Sequence, residues 1–290
     1  MKIKNNFIDL HGIHLLDYEP YYSSQRDIKN SLLLSCPVPE VFSQVSKFKK
    51  EYKGYIGILP YNYAGFDNSF YFENEQMYRA YSFLTLSDMA DSAIPFFAIS
   101  ESAENKKGIE NILNKSELKK PFGFKFHSLS SQRPISSLLG SETMDFLNEI
   151  NGMVLLHTGK DSLSNPNQIY TLAEKYGSAT FIAAHLGSLN EQFLNNINNY
   201  ENVYTDTSIL SHLIRRIGKE GSSPEESILE LLYKFNLEDK LLFGSDYPWT
   251  RIFGTSPEKE RSFLLNSNIP ETVKEKWLFK TAENILKRSG

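Results

Sequence analysis

One arrangement recurs along the chain: a short apolar run ends on a histidine or a carboxylate. Phe7-Ile8-Asp9-Leu10 ends on His11, Phe122-Gly123-Phe124-Lys125-Phe126 on His127 and Met153-Val154-Leu155-Leu156 on His157. Phe181-Ile182-Ala183-Ala184 ends on His185, Asn202-Val203-Tyr204-Thr205 on Asp206 and Leu241-Leu242-Phe243-Gly244-Ser245 on Asp246. Four of the six histidines therefore close apolar runs, a bias that random placement does not produce. Imidazoles and carboxylates gathered in one place are the donor set of a divalent metal ion. Taken singly, each has a plainer explanation. A histidine after a strand is more often a loop residue with its hydrogen bonds satisfied. Asp206, in Asp-Thr-Ser, also reads as the cap of a turn.

The runs gather in one place only if the elements that carry them converge. They alternate with segments of helical period, the pattern of parallel βα units. Strands are expected at Phe7–Leu10, Tyr55–Leu59, Ala93–Ile99, Phe122–Phe126, Met153–Leu156, Thr180–Ala184, Asn202–Thr205 and Leu241–Gly244, with Leu32–Cys36 as an unplaced spare. Between the later strands, Asn165 reads as an N-cap with Pro166 at the first helical position, and Ile169, Leu172, Ala173 and Tyr176 form a buried stripe that stops at Gly177. A weaker helix covers Asn190–Ile197. Ser223, Pro224 and Glu226 read as a capping box that opens another helix, with Ile228, Leu231, Leu232 and Phe235 buried. Glu258–Lys287 should be helical and cover the outside or one end. The expected fold is a (β/α)₈ TIM barrel in one domain over residues 1–290, whose strand C-termini share one mouth.

These phrases resemble the amidohydrolase superfamily, whose order they follow from Phe7 to Pro248. The likeness rests on Ile8-Asp9-Leu10-His11, Gly123-Phe124-Lys125-Phe126-His127, Leu156-His157-Thr158-Gly159, Ala184-His185-Leu186-Gly187 and Phe243-Gly244-Ser245-Asp246-Tyr247-Pro248. It is nearest to the amidohydrolase-related branch (amidohydrolase 2), which holds aromatic-acid decarboxylases and lactone hydrolases. Ala282-Glu283-Asn284-Ile285-Leu286 is similar to that family's C-terminal helix. The resemblance implies His11, His157 and Asp246 as ligands of a divalent metal; we expect one ion, Zn²⁺ by preference because imidazole and carboxylate donors suit it, with His14 as a further ligand where the first strand bulges. It further implies Asp246 as general base and His185 as ligand or acid. The implied reaction is hydrolysis of a small-molecule amide, ester or lactone by a metal-activated water. Decarboxylation of an aromatic or unsaturated carboxylic acid is the alternative, and a non-catalytic ligand-binding barrel the rival of another class.

The first strand departs from the family's His-x-His spacing, because it reads His11-Gly12-Ile13-His14. In a regular strand Asp9, His11 and Ile13 share a face and His14 points away. A bulge at Gly12 would bring both imidazoles to one side. In two-metal branches of the superfamily a fourth-strand lysine is carboxylated and bridges the ions. Here Lys125 and His127 share one face of their strand, and we read them instead as substrate-binding groups beside a single ion.

The net charge of -4 and the lack of a basic run leave no footprint for nucleic acid, and a phosphoesterase or deoxyribonuclease reading ranks low. No apolar run is long enough to span a bilayer. The polar start and the single Cys36 lead us to expect a cytoplasmic protein with no disulfide. Its expected partners are a small-molecule substrate and, as a homodimer, a second copy of the chain. Seven of the 16 tyrosines fall between Tyr52 and Tyr81, together with Phe66, Phe70 and Phe72, as either a pocket wall or ordinary packing. Arg79, Arg133, Lys160 and Arg251 are candidates to hold a substrate carboxylate.

Overall fold

The computed structural model describes residues 6–15, 36–60, 70–115, 118, 121–217 and 224–289. Seven of the expected strands are β1 Asn6–Leu15, β2 Lys53–Pro60, β3 Ala93–Ala98, β4 Gly123–Phe126, β5 Met153–Leu156, β6 Thr180–Ala183 and β7 Val203–Asp206. The eighth comes in two pieces, β8 Leu241–Leu242 and β9 Gly244–Tyr247. Neighbours pair in parallel in the order β8-β7-β6-β5-β4-β3-β2-β1-β9. With β8 on β7 and β9 on β1, the divided eighth strand brings the sheet round into a TIM barrel. The break falls at Phe243, whose N–H donates to the carbonyl of Trp277 at 2.8 Å instead of to a strand neighbour.

Helices α1 Val38–Glu51, α2 Tyr71–Leu86, α3 Ala103–Leu113, α4 Glu142–Glu149, α5 Gln168–Lys175, α6 Glu191–Asn196, α7 Leu210–Ile217 and α8 Pro224–Phe235 lie between strands. The sequence alternates accordingly. Phe124, Phe126, Val154 and Leu156 belong to the outer apolar layer under the helices, whereas Met153, Leu155, Ile182 and Leu242 fill the barrel. Ile169, Leu172, Ala173 and Tyr176 are buried as their spacing requires. Helix α5 starts later than expected because Asn165 accepts the N–H of Asn167 at 3.0 Å, which turns Pro166 and Asn167 into a lead-in turn. Ser223, and all of Leu32–Cys36 except the buried Cys36, lie outside the described residues.

After β9 come α9 Pro257–Asn266, α10 Glu271–Glu275 and α11 Thr281–Arg288. Ala282, Ile285 and Leu286 of α11 join the inner cluster that holds Ile8 and Met153, so this helix plugs the barrel near the strand starts. Among the described residues no helix is long and apolar enough to cross a membrane.

Strand β1 is irregular where the sequence departs from His-x-His. Its Asp9 pairs with Ile56 and its Ile13 with Ile58, four steps on β1 against two on β2. On the other side His11 pairs with Gly244 and Ile13 with Tyr247, two steps against three on β9. The grouping of a regular strand is therefore broken. Phe7 and Ile13 join the outer layer, and Asp9 lines an outer cleft with them. Gly12 sits at the tightest point: a Cβ there would stand 2.5 Å from the Gly57 carbonyl oxygen and 2.8 Å from Ile56 Cγ1. Gly12→Ala should therefore destabilise the protein by roughly 2 kcal/mol or more, because backbone has to move. Urea unfolding measures this, and an unchanged midpoint would contradict the close approach.

Candidate active site

Five of the six histidines form one connected group at the strand ends. His11 and His14 have ring centroids 5.5 Å apart, His11 and His185 5.3 Å, and His185 and His157 5.2 Å. His157 stacks on His127 at 4.1 Å with 15° between planes. The sixth, His212, packs against Phe253 with ring centroids 4.2 Å apart and 37° between planes. His11, His14, His185, Asp206, Asp246 and Lys125 are all buried, while His127 and His157 are half-buried.

The β1 irregularity turns both first-strand imidazoles toward Asp246. His14 Nε2 lies 2.8 Å and His11 Nε2 3.2 Å from Asp246 Oδ1. His11 Nδ1 donates to Asp206 Oδ2 at 2.8 Å. Its Nε2 then faces two incompatible neighbours: Asp246, which only accepts, and Lys125 Nζ at 3.3 Å, which only donates. One ring nitrogen cannot serve both. A cation between the Nε2 lone pairs and the carboxylate relieves the repulsion between Nε2 and Asp246, so the donor chemistry of His11, His14 and Asp246 fits a divalent ion. Asp206 then acts on the far nitrogen, orienting His11 and setting its tautomer.

A second group, His11, His185 and Asp206, is as compact. Its polar atoms already satisfy one another. Ser208 Oγ donates to Asp206 Oδ1, so it accepts from His185 Nδ1 at 2.8 Å. The backbone N–H groups of His185 and Ser208 donate to the same carboxylate oxygen at 2.9 and 3.0 Å. Neutral His185 therefore holds its proton on Nδ1 and has a lone pair on Nε2. His127 is the opposite tautomer: its Nδ1 accepts from the Ser130 N–H at 3.2 Å, which leaves the proton on Nε2.

Burial alone would raise Asp246, but the charge and hydrogen bond of His11 and the hydrogen bond of His14 hold it well below the ordinary carboxylate range. Asp206 is held at about 2, where His11 again outweighs burial. Burial pushes Lys125 down to about 8 and Asp9 up to about 7. Burial, helped by neighbouring cations, also lowers His127 to about 3. His185 falls to about 4, mainly through burial.

The backbone at the site is strained. His185, Leu186, Gly187, Ser188 and Leu189 all have positive φ, between 52° and 59°, and so does Asp246 at 57°. Left-handed conformation costs a non-glycine residue about 1–2 kcal/mol, and such costs gather at functional sites.

Not every expected residue converges. His157 lies outside both compact donor groups and packs between His127 and His185. Arg79 pairs with Glu75, Arg133 with Glu101, and Arg251 with Glu40 and Tyr247, while Lys160 is exposed. Much of the Tyr52–Tyr81 window, including Phe66, lies outside the described residues. Asp206 is more central than its turn chemistry foretold, although it ends an apolar run just as the histidines do. Ser208 carries no comparable mark in the sequence.

The family model described as Amidohydrolase matches residues 85–288, and the chain belongs to that family. The chain's fold is similar to that of 2,6-dihydroxybenzoate decarboxylase from Rhizobium, with TM-score 0.65 and 13% identity over 99% of this chain and 100% of that one. It is also similar to a protein from Acinetobacter baumannii described as a probable 2-pyrone-4,6-dicarboxylic acid hydrolase, with TM-score 0.65 and 14% identity over 97% and 99% of the two chains. A third similar fold is an uncharacterised TIM-barrel protein from Bordetella bronchiseptica, with TM-score 0.65 and 13% identity over 98% and 99%. Comparison with the curated proteins gives no match.

The lowered histidines predict acid sensitivity of the ion-free chain. His127, His157 and His185 refuse protons that the unfolded chain takes up below pH 6.5. Their stabilisation is complete above that pH and is lost as pH falls toward 4, at up to about 1.4 kcal/mol per pH unit for each group. His11, raised by Asp206 and Asp246 against burial and Lys125, works the other way: its contribution is present at low pH and lost on raising pH. Asp9, raised to about 7 by burial, works with His11, while His14, lowered mainly by burial, joins the other three histidines, and two groups do not offset four. Urea midpoints in chelator should fall between pH 7 and pH 5, and equal midpoints would contradict this reading.

Proposed function

We propose that the chain is a metal-dependent enzyme acting on a small molecule, and that it hydrolyses an amide, ester or lactone. The observation that carries the proposal is the convergence of His11 Nε2 and His14 Nε2 on one oxygen of Asp246. We assign these three residues to one divalent ion, with zinc as the first choice for imidazole and carboxylate donors. His157 is kept as a further candidate ligand. When bound, the ion supplies Lewis acidity that activates water or polarises a carbonyl.

The chain's own groups divide the remaining work. Asp246 is ionised across the working pH range and serves as the proton acceptor in this reading. His185 presents a lone pair at Nε2, so in its neutral form it takes a proton or binds the ion before it can act as an acid. Lys125 Nζ and the Nε2–H of His127 are donors, suited to anchoring substrate oxygens. The stacked His127–His157 pair offers a flat wall to a planar substrate.

The same donors favour a second reading, decarboxylation of a planar carboxylic acid held by Lys125 and His127. Two of the similar structures are named for a decarboxylase and a hydrolase of ring carboxylic acids, which supports keeping both. A cytosolic location remains part of the proposal, in keeping with one buried cysteine.

Purification without chelators should yield about one bound divalent ion per chain. A chain that neither holds nor binds one would leave only a ligand-binding barrel. Screening lactones, amides and aromatic carboxylic acids, with CO₂ followed separately, decides between the reactions. Asp246→Asn should lower kcat by at least about 100-fold with the fold retained. Full activity would remove Asp246 as the base. Lys125→Met should raise KM for carboxylated substrates more than for uncharged ones, and an equal effect on both would contradict its anchoring role.

A further inference from the structure

Asp9 is a buried carboxylate on the outer side of the barrel wall, away from the ion site. It is 1% exposed and lines a cleft of about 30 Å³ with Phe7, Ile13, Phe48 and Tyr52. Its Oδ1 accepts the backbone N–H of Ser245 at 3.0 Å. Its Oδ2 has no partner among the described residues. A polar side chain buried this way needs a reason to be there, since an unmet buried acceptor costs roughly 1–3 kcal/mol.

Ser245 supplies the reason. It precedes Asp246, whose backbone is held at φ 57°. It also lies where β9 has one step more than β1, between the pairs His11–Gly244 and Ile13–Tyr247. Within this irregular stretch the Ser245 N–H donates to the Asp9 side chain. Ser245 Oγ adds a bond to the carbonyl of Gly12 at 3.4 Å. Both bonds tie the residue before Asp246 to the segment that carries His11 and His14.

We propose that Asp9 is the positioning residue that sets Asp246 against His11 and His14 from behind the barrel wall. It touches none of the reacting groups and acts through Ser245. The proposal rests on the metal-site reading above. Only the accepting oxygen matters to it, so a carboxamide should serve in place of the carboxylate.

The test compares the full-length chain with Asp9→Asn and Asp9→Leu. Leucine is near in size and can pack beside Phe7, Ile13 and Phe48 but accepts nothing. Two quantities are read: Zn²⁺ affinity by competition with a chromophoric chelator, and hydrogen exchange of the Ser245 amide. Asp9→Leu should weaken Zn²⁺ binding about 10–100-fold, the usual effect of losing an outer-shell partner. It should also expose the Ser245 amide, whereas Asp9→Asn should keep most of both. Wild-type affinity in Asp9→Leu, or equal losses in the two variants, would overturn the proposal. If Asp9→Leu does not fold, Asp9→Ala takes its place. Failure of both to fold while Asp9→Asn folds would assign Asp9 to the fold alone and also overturn it. A wild-type chain that takes up no Zn²⁺ defeats the metal reading instead. The Ser245 amide then decides: protection lost in Asp9→Leu and kept in Asp9→Asn supports the positioning role, and protection kept in both overturns it.

Discussion

The side chains of a β-strand alternate with period two, so residues three apart face opposite ways. His11 and His14 are three apart, yet both reach the same oxygen of Asp246. The extra residues of β1 between Asp9 and Ile13 make this possible, and the rest of the site depends on them. The irregularity has its own requirements. Strands β1 and β2 approach so closely that neither Gly12 nor Gly57 has room for a Cβ, and main-chain pairing is interrupted on both sides of β1. Side-chain bonds take over there. Asp206 fixes the His11 ring from within, and Asp9 fixes β9 from without.

The site that results is dense in charge and almost free of water-facing groups. Asp206 and Asp246 carry negative charge, and Lys125 brings a positive one within 3.3 Å of the same imidazole. Low dielectric makes each of these contacts count for more than it does at a surface. The left-handed stretch His185–Leu189 belongs to the same account. It places His185 so that its own backbone N–H and its Nδ1 both serve the Asp206–Ser208 network, leaving Nε2 for chemistry. Local strain is accepted where it orients a functional group.

The barrel was largely legible in the sequence because its strands are buried on both faces and read as unbroken apolar runs. The residues that end those runs lie at the mouth for the same reason. The exceptions have physical causes. The eighth strand divides at Phe243 because Trp277, far along the chain, captures its N–H. Asp9 seemed to share a face with His11, and only the register of β1 against two neighbours places it outside. Asp206 looked like a turn cap, since nothing local announces that its carboxylate will meet an imidazole 195 positions away. Tautomers are the least legible of all, because the proton positions of His127 and His185 follow from Ser130 and Ser208.

The most direct test of the central claim is X-ray absorption on the Zn²⁺-loaded chain and on His14→Ala. The account predicts a shell of nitrogen and oxygen donors at about 2.0–2.2 Å with imidazole outer-shell scattering, and loss of one imidazole contribution in His14→Ala. An ion bound without imidazole, or a spectrum unchanged by His14→Ala, would contradict the claim that the irregular first strand turns both histidines onto one ion.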